Sequence, residues 1–184
     1  MLIYDQVAVR VPNVDTALVH MAALGHHNWV RDTVDAKHLY LAQEIHVHSD
    51  GFKVELAFNY GLIPGTEFEL LELLEGITVQ AVDGYRGRMS HFGYHLQTDQ
   101  CAEGPDTLLI ELQKLHNMGM KTLQVSQTVR HKNTARRYRY AFVNGDLSGG
   151  IPVKVIQRML PMKMSEIDAS VAAGRELFAC LATP

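Results

Sequence analysis

Apolar and polar residues alternate with a period of two along several short stretches of this chain, and with a helical period along a few others. "DQVAVRV" (Asp5 to Val11) sends Val7, Val9 and Val11 to one side and Gln6, Ala8 and Arg10 to the other, as a half-buried strand does. Asn13 or Asp15 then caps a helix that reaches Leu24 and stops at Gly25. Further strands are predicted from Asn28 to Leu41 with interruptions, then over Phe52 to Asn59 and Glu67 to Leu74, with "GLIPGTE" as the turn and Gly76 as the stop. The second half reads the same way. Ser90 to Gln97 is a strand, Asp106 to Met118 a helix, and Thr122 to Arg130, Arg137 to Val143 and Ile151 to Gln157 are strands. "NGDLSGG" (Asn144 to Gly150) makes a hairpin-like turn. An amphipathic helix from Ser165 to Leu181 ends the chain, with Met164, Ile167, Val171, Leu177 and Phe178 at roughly helical intervals.

The similarity of the halves extends to residues. "LAFNYG" (Leu56 to Gly61) returns as "YAFVNG" (Tyr140 to Gly145) 84 positions later. "VDTALVHMAALG" (from Val14) aligns with "PDTLLIELQKLH" (from Pro105) at an offset of 91, and "DQVAVRV" lies over "SHFGYHL" (Ser90 to Leu96) at 85. Three pieces in the same order make an internal repeat, with offsets that loop insertions shift. The expected fold is α+β: two pseudo-symmetric βαβββ units, residues 1–76 and 90–160, whose sheets curl around a shared cavity. A linker at 77–89 joins them, and 161–184 adds the C-terminal helix.

Composition narrows the partners. The 184 residues are 47% hydrophobic, enough for a sizeable core, and 17 basic against 20 acidic residues leave a charge of −3. That balance argues against nucleic acid and anionic membranes as partners, although "RHKNTARRYRY" (from Arg130) is a local basic cluster best read as a solvated hairpin. No apolar run reaches the ~18 residues that cross a bilayer, and the start lacks a signal-peptide pattern, so a cytoplasmic location is expected. Cys101 and Cys180 match neither a disulfide framework nor a zinc site. The C-terminal helix offers internal packing or a homodimer contact.

If the apolar side of every strand packs on a helix, the opposite side forms a polar concavity. Val54, Leu56 and Phe58, and likewise Tyr138, Tyr140 and Phe142, are then helix-facing. Arg10, Lys53, Arg137, Arg139, Lys154 and Arg158 point inward with Glu55, which implies an anionic small-molecule ligand such as a phosphate, carboxylate or nucleotide-like compound. Arg10, Arg137 and Arg139 are its expected contacts.

The doubled strand-helix-strand-strand-strand unit, opened by "QVAVRVPNVDTAL" and "HFGYHL", resembles the vicinal oxygen chelate superfamily of glyoxalases, epimerases, extradiol dioxygenases and bleomycin resistance proteins. The resemblance covers Tyr4 to Arg158. It implies a divalent ion (Ni²⁺, Zn²⁺, Mn²⁺ or Fe²⁺) held by Gln6, Glu72 and His91, with Lys154 at the fourth ligand position. Amide oxygen, carboxylate and imidazole suit such an ion; a protonated lysine does not. Glu69 takes the place of Glu72 if the strand is slipped by one. The implied activity is that of a metal-dependent lyase, isomerase or dioxygenase acting on vicinal oxygens, with Lys154 and His95 as catalytic candidates. The alternative is a metal-free binding or sequestering protein.

Overall fold

A computed structural model describes residues 2–35, 41–44, 52–76, 89–96, 105–129, 137–144 and 151–159, and the single positions Ala169, Ala172, Ala173, Glu176 and Ala179. β1 (Leu2–Arg10) leads to α1 (Val14–Ala23), whose cap is Asn13: its side chain accepts from the Thr16 amide at 2.8 Å. Gly25, at φ +88°, turns the chain out of the helix in a conformation that disfavours any other residue. β2 (Val30–Asp35), β3 (Leu41–Glu44), β4 (Phe52–Ile63) and β5 (Thr66–Gly76) follow. The second half holds β6 (Met89–Leu96), α2 (Pro105–Asn117), β7 (Lys121–Val129), β8 (Arg137–Asn144) and β9 (Val153–Met159). "NGDLSGG" lies mostly outside the described residues, as does most of the C-terminal stretch, where Ala169, Ala172, Ala173 and Glu176 are helical.

All nine strands join one sheet in the order β2-β4-β5-β1-β6-β9-β8-β7-β3. Within each half the first strand pairs parallel with the last, β1 with β5 and β6 with β9, and the others pair antiparallel. The halves meet where β1 runs antiparallel to β6. Eight strands therefore repeat one order about that seam. β3 breaks the symmetry, because it leaves the first half and pairs with β7 at the far edge of the second.

That exchange forces the sheet to curl. Laid flat, nine strands would separate β2 from β3 by ~38 Å. Only residues 36–40 join Asp35 to Leu41, a reach of at most ~22 Å. The sheet must bend until its edges approach, so one face becomes concave.

The helices cover the convex face. α1 packs Val14 against Ala57 and Leu70, with Val9, Val11 and Phe68 around them. α2 packs Leu108, Leu112 and Leu115 against Val125, Ala141, Val143 and Val155. Each fully buried leucine contributes about 2 kcal/mol of transfer free energy, which holds the helices down.

Here the expected faces of β4 and β8 are reversed. Val54, Leu56 and Phe58 cluster with Leu71 on the concave side, and Tyr140 and Phe142 cluster there with Ile156. The residues beneath the helices are Ala57 and Ala141, both fully buried. These are the shared alanines of "LAFNYG" and "YAFVNG". A helix approaches a sheet most closely over a small side chain, and this sheet is apolar on both faces, so hydrophobicity alone could not choose the side. Among the described residues no helix is long and apolar enough to cross a membrane.

Enlarging either alanine should push its helix off the sheet. Ala57→Leu and Ala141→Leu are each expected to destabilise the fold by about 1–3 kcal/mol in denaturant unfolding; a neutral result at both would place the helices elsewhere.

Candidate functional site

Four side chains from the four central strands meet on the concave face, and the register explains how. On the seam, Gln6 lies opposite Gly93 and Ala8 opposite His91. A two-fold through this pairing exchanges Gln6 with His91 and Ala8 with Gly93, the equivalence that the 85-residue offset implies. Ala8 then pairs with Glu69 on β5, and Gly93 with Lys154 on β9. Glu69 and Lys154 are thus counterparts. The four corners are Gln6, Glu69, His91 and Lys154, with exposures of 2, 1, 0 and 8%.

A hydrogen-bonded chain runs through them. Gln6 Nε2 donates to Glu69 Oε2 at 2.8 Å and also to Glu67 Oε1. Two carboxylates can only accept, so they fix the amide's orientation and leave Oε1 facing His91. His91 Nε2 then carries the proton and donates to Gln6 Oε1 at 3.0 Å, while Nδ1 accepts from Ser90 Oγ at 3.1 Å. Burial, and secondly the charge of Lys154, hold the His91 pKa well below the usual 6.5, so the ring is neutral. It stands edge-on to Phe142, with centroids 5.1 Å apart.

Gly93 makes room for this. A Cβ there would lie 2.6 Å from Gln6 Cβ and 2.9 Å from Gln6 Oε1, so only glycine lets the Gln6 side chain cross the seam.

Lys154 occupies the fourth corner. Its Nζ is 3.9 Å from Glu69 Oε2 and 5.2 Å from the centre of the Tyr140 ring. With a buried carboxylate on one side and an aromatic face on the other, the ammonium is the cation of the quartet. Beside it, a β-bulge between Tyr4 and Gln6 turns Asp5 towards His95, and His95 Nε2 contacts Asp5 Oδ2. His95 shares the inward face with Lys154, opposite Ile156 on the neighbouring strand.

Three site expectations change. Glu72 is not a corner: its carboxylate accepts from the Val14 amide at 2.7 Å and from Asn13 Nδ2 at 3.5 Å, at the positive end of α1. Glu69 is the inward carboxylate. Arg139 shares the helix-side face with Ala141 and donates from Nε to Gln127 Oε1 at 2.7 Å; burial lowers its pKa from the ordinary value. It therefore lies on the far side of the sheet from Lys154. Arg10 does keep the inward parity, opposite Leu71 towards the strand end. Arg137 pairs with Val129 and Met159, and its side chain, like that of Arg158, lies outside the described residues. Lys53 is half-buried and paired with Glu75 at 3.5 Å, and Glu55 meets Arg31 beside α1. The described inward charges are mixed, with Asp5, Glu67 and Glu69 against Arg10 and Lys154, so the expected cationic lining is not what these residues form.

Glu67, Asp5 and Tyr140 were not foreseen as site residues. Glu67 had a signal, since it sits two positions from Glu69 and must share its face.

The donors present do not fit a divalent ion. The ammonium stands at the fourth corner, Gln6 turns its N–H groups to the carboxylates, and His91 directs N–H at Gln6. Among the described residues no group of three or more His, Cys, Asp or Glu is placed to hold a metal.

No family model and no curated protein matches the chain. Among solved structures it is similar to two variants of methylmalonyl-CoA epimerase from Streptomyces coelicolor in complex with 2-nitronate-propionyl-CoA. Identity is 11% and the TM-score 0.47 in both, over 88% and 87% of this chain and 98% and 96% of theirs. It is also similar to a glyoxalase family protein from Bacillus cereus at 18% identity and TM-score 0.29, over 84% of this chain and 93% of that one.

Two outcomes are expected. Gly93→Ala should cost about 1–3 kcal/mol by displacing Gln6, read by denaturant unfolding. For His91 the unfolded chain binds a proton near pH 6.5 and the folded chain does not, so stability falls as pH drops below that value. Unfolding free energies between pH 7 and 5 should show a contribution of up to about 1.4 kcal/mol per pH unit. His91→Gln should remove it; an unchanged slope would mean that His91 is not held neutral.

Proposed function

We propose that this chain is a metal-independent small-molecule-binding protein built on the glyoxalase-type fold, in which Lys154 supplies the positive charge at the centre of the concave face. One observation carries the reading: a buried ammonium at the fourth corner, 3.9 Å from Glu69 and over the Tyr140 ring. An ammonium has three donors, and a 3.9 Å contact is too long to be a hydrogen bond, so Lys154 retains capacity for a ligand oxygen. The nearby carboxylates of Glu67 and Glu69 disfavour a polyanion. The ligand class is accordingly a molecule with a single anionic or carbonyl oxygen and an apolar body, placed against Tyr140, Phe142, Ile156 and Phe58. This narrows the phosphate or nucleotide-like ligand that a cationic cavity would take.

A second reading is favoured by the contact of His95 with Asp5. An imidazole held by Asp5 beside a cation that polarises a carbonyl is equipped to move a proton. In that reading the protein is a metal-independent isomerase or lyase, with His95 as the base and Lys154 as the electrophile.

Calorimetric titration of EDTA-treated protein with phenylacetate tests the first reading. Binding is expected without added metal, unaffected by Ni²⁺, Zn²⁺ or Mn²⁺, and weakened about 10- to 100-fold in Lys154→Met, the loss of one charge-assisted hydrogen bond. Binding that appears only with metal, or that survives Lys154→Met, contradicts it.

A further inference from the structure

Resting on the ligand site just described, we infer that Gln124 sets its specificity, by requiring a hydrogen-bond donor on the ligand at the end remote from Lys154. Gln124 lies opposite Phe142 on β8, and Phe142 lies opposite Lys154 on β9. The three residues form one row across the concave face, with Gln124 and Lys154 two strands apart, ~10 Å between backbones in a flat sheet and less along a curled one. Tyr140 and Phe142 stand between them with centroids 5.6 Å apart, an aromatic floor suited to a flat ligand body.

Gln124 is 1% exposed, and its amide is half satisfied. Nε2 donates to Ser126 Oγ at 2.7 Å. Oε1 is buried and meets no donor among the described residues. Rotating the amide would not relieve this, because it would aim Nε2 away from Ser126 and leave two donors to satisfy. A buried carbonyl without a partner is destabilising in the free protein, and an arrangement kept at that cost is accounted for when a ligand supplies the missing donor. Lys154 offers only donors and Gln124 Oε1 only accepts, so the ligand reads in one direction: an anionic or carbonyl oxygen at β9 and a hydroxyl or N–H at β7. Hydroxylated or amide-bearing aromatic monocarboxylates and carbonyl compounds have this pattern.

The test compares 4-hydroxyphenylacetate with phenylacetate by titration calorimetry on the full chain, and separately follows ligand-free melting. Wild type should hold the hydroxylated probe about ten-fold tighter, the worth of one good hydrogen bond, and Gln124→Met should bring the two probes together. In the absence of ligand, Gln124→Met combined with Ser126→Ala should melt about 2–4 °C higher than wild type, since both polar partners are replaced and the unpaired oxygen is gone. A hydroxyl preference that persists in Gln124→Met, or a lower melting temperature in the double variant, overturns the role of Gln124. If the preference persists while Lys154→Met still loses both probes, the reading of Lys154 stands without it. Wild type that holds neither probe overturns both.

Discussion

The centre of this molecule depends on the antiparallel pairing of β1 with β6 in the register that sets Gln6 against Gly93 and Ala8 against His91. That register places two small residues beside two long polar ones, so Gln6 can cross the seam and bond His91 at 3.0 Å. It also aligns β5 and β9 on either side, which brings Glu69 and Lys154 to the same level. A slip of one residue would turn every one of these side chains to the helix face. The polar quartet, the neutral state of His91 and the burial of Lys154 all follow from it.

The quartet is costly by the usual rules for buried charge. An isolated ammonium or carboxylate in the interior would be strongly disfavoured. Here Glu69 accepts from Gln6, Lys154 faces both Glu69 and the Tyr140 ring, and His91 remains uncharged. The flanking strands β4 and β8 carry Leu56, Phe58 and Phe142 on the same concave face, and β9 adds Ile156, so the polar centre is walled by apolar side chains. Such surroundings strengthen any polar contact made inside them.

Much of the architecture was legible in the sequence because a repeat is a constraint on many residues at once. The offset of 85 between "DQVAVRV" and "SHFGYHL" matches the pairing of the seam, which brings Gln6, His91 and Lys154 together on the concave face. Glu72 is not a corner, because the seam's own offset of 85, counted back from Lys154, falls on Glu69. The faces of β4 and β8 failed because both sides of the sheet are apolar, although the repeated alanines at 57 and 141 marked the helix side. Arg139 followed that error to the wrong face. β3 was not legible as a separate strand, since its partner residues on β7 lie 80 to 86 positions away and nothing local encodes the exchange.

In the proposed site Lys154, and not a metal ion, is the central cation. Anomalous diffraction at the nickel edge from crystals of wild-type protein soaked in Ni²⁺ examines this directly. No anomalous peak is expected among Gln6, Glu69 and His91, with Lys154 Nζ in density between Glu69 and Tyr140. A peak within ~2.1 Å of His91 Nε2 and a Glu69 oxygen, with Lys154 displaced from the corner, would contradict it.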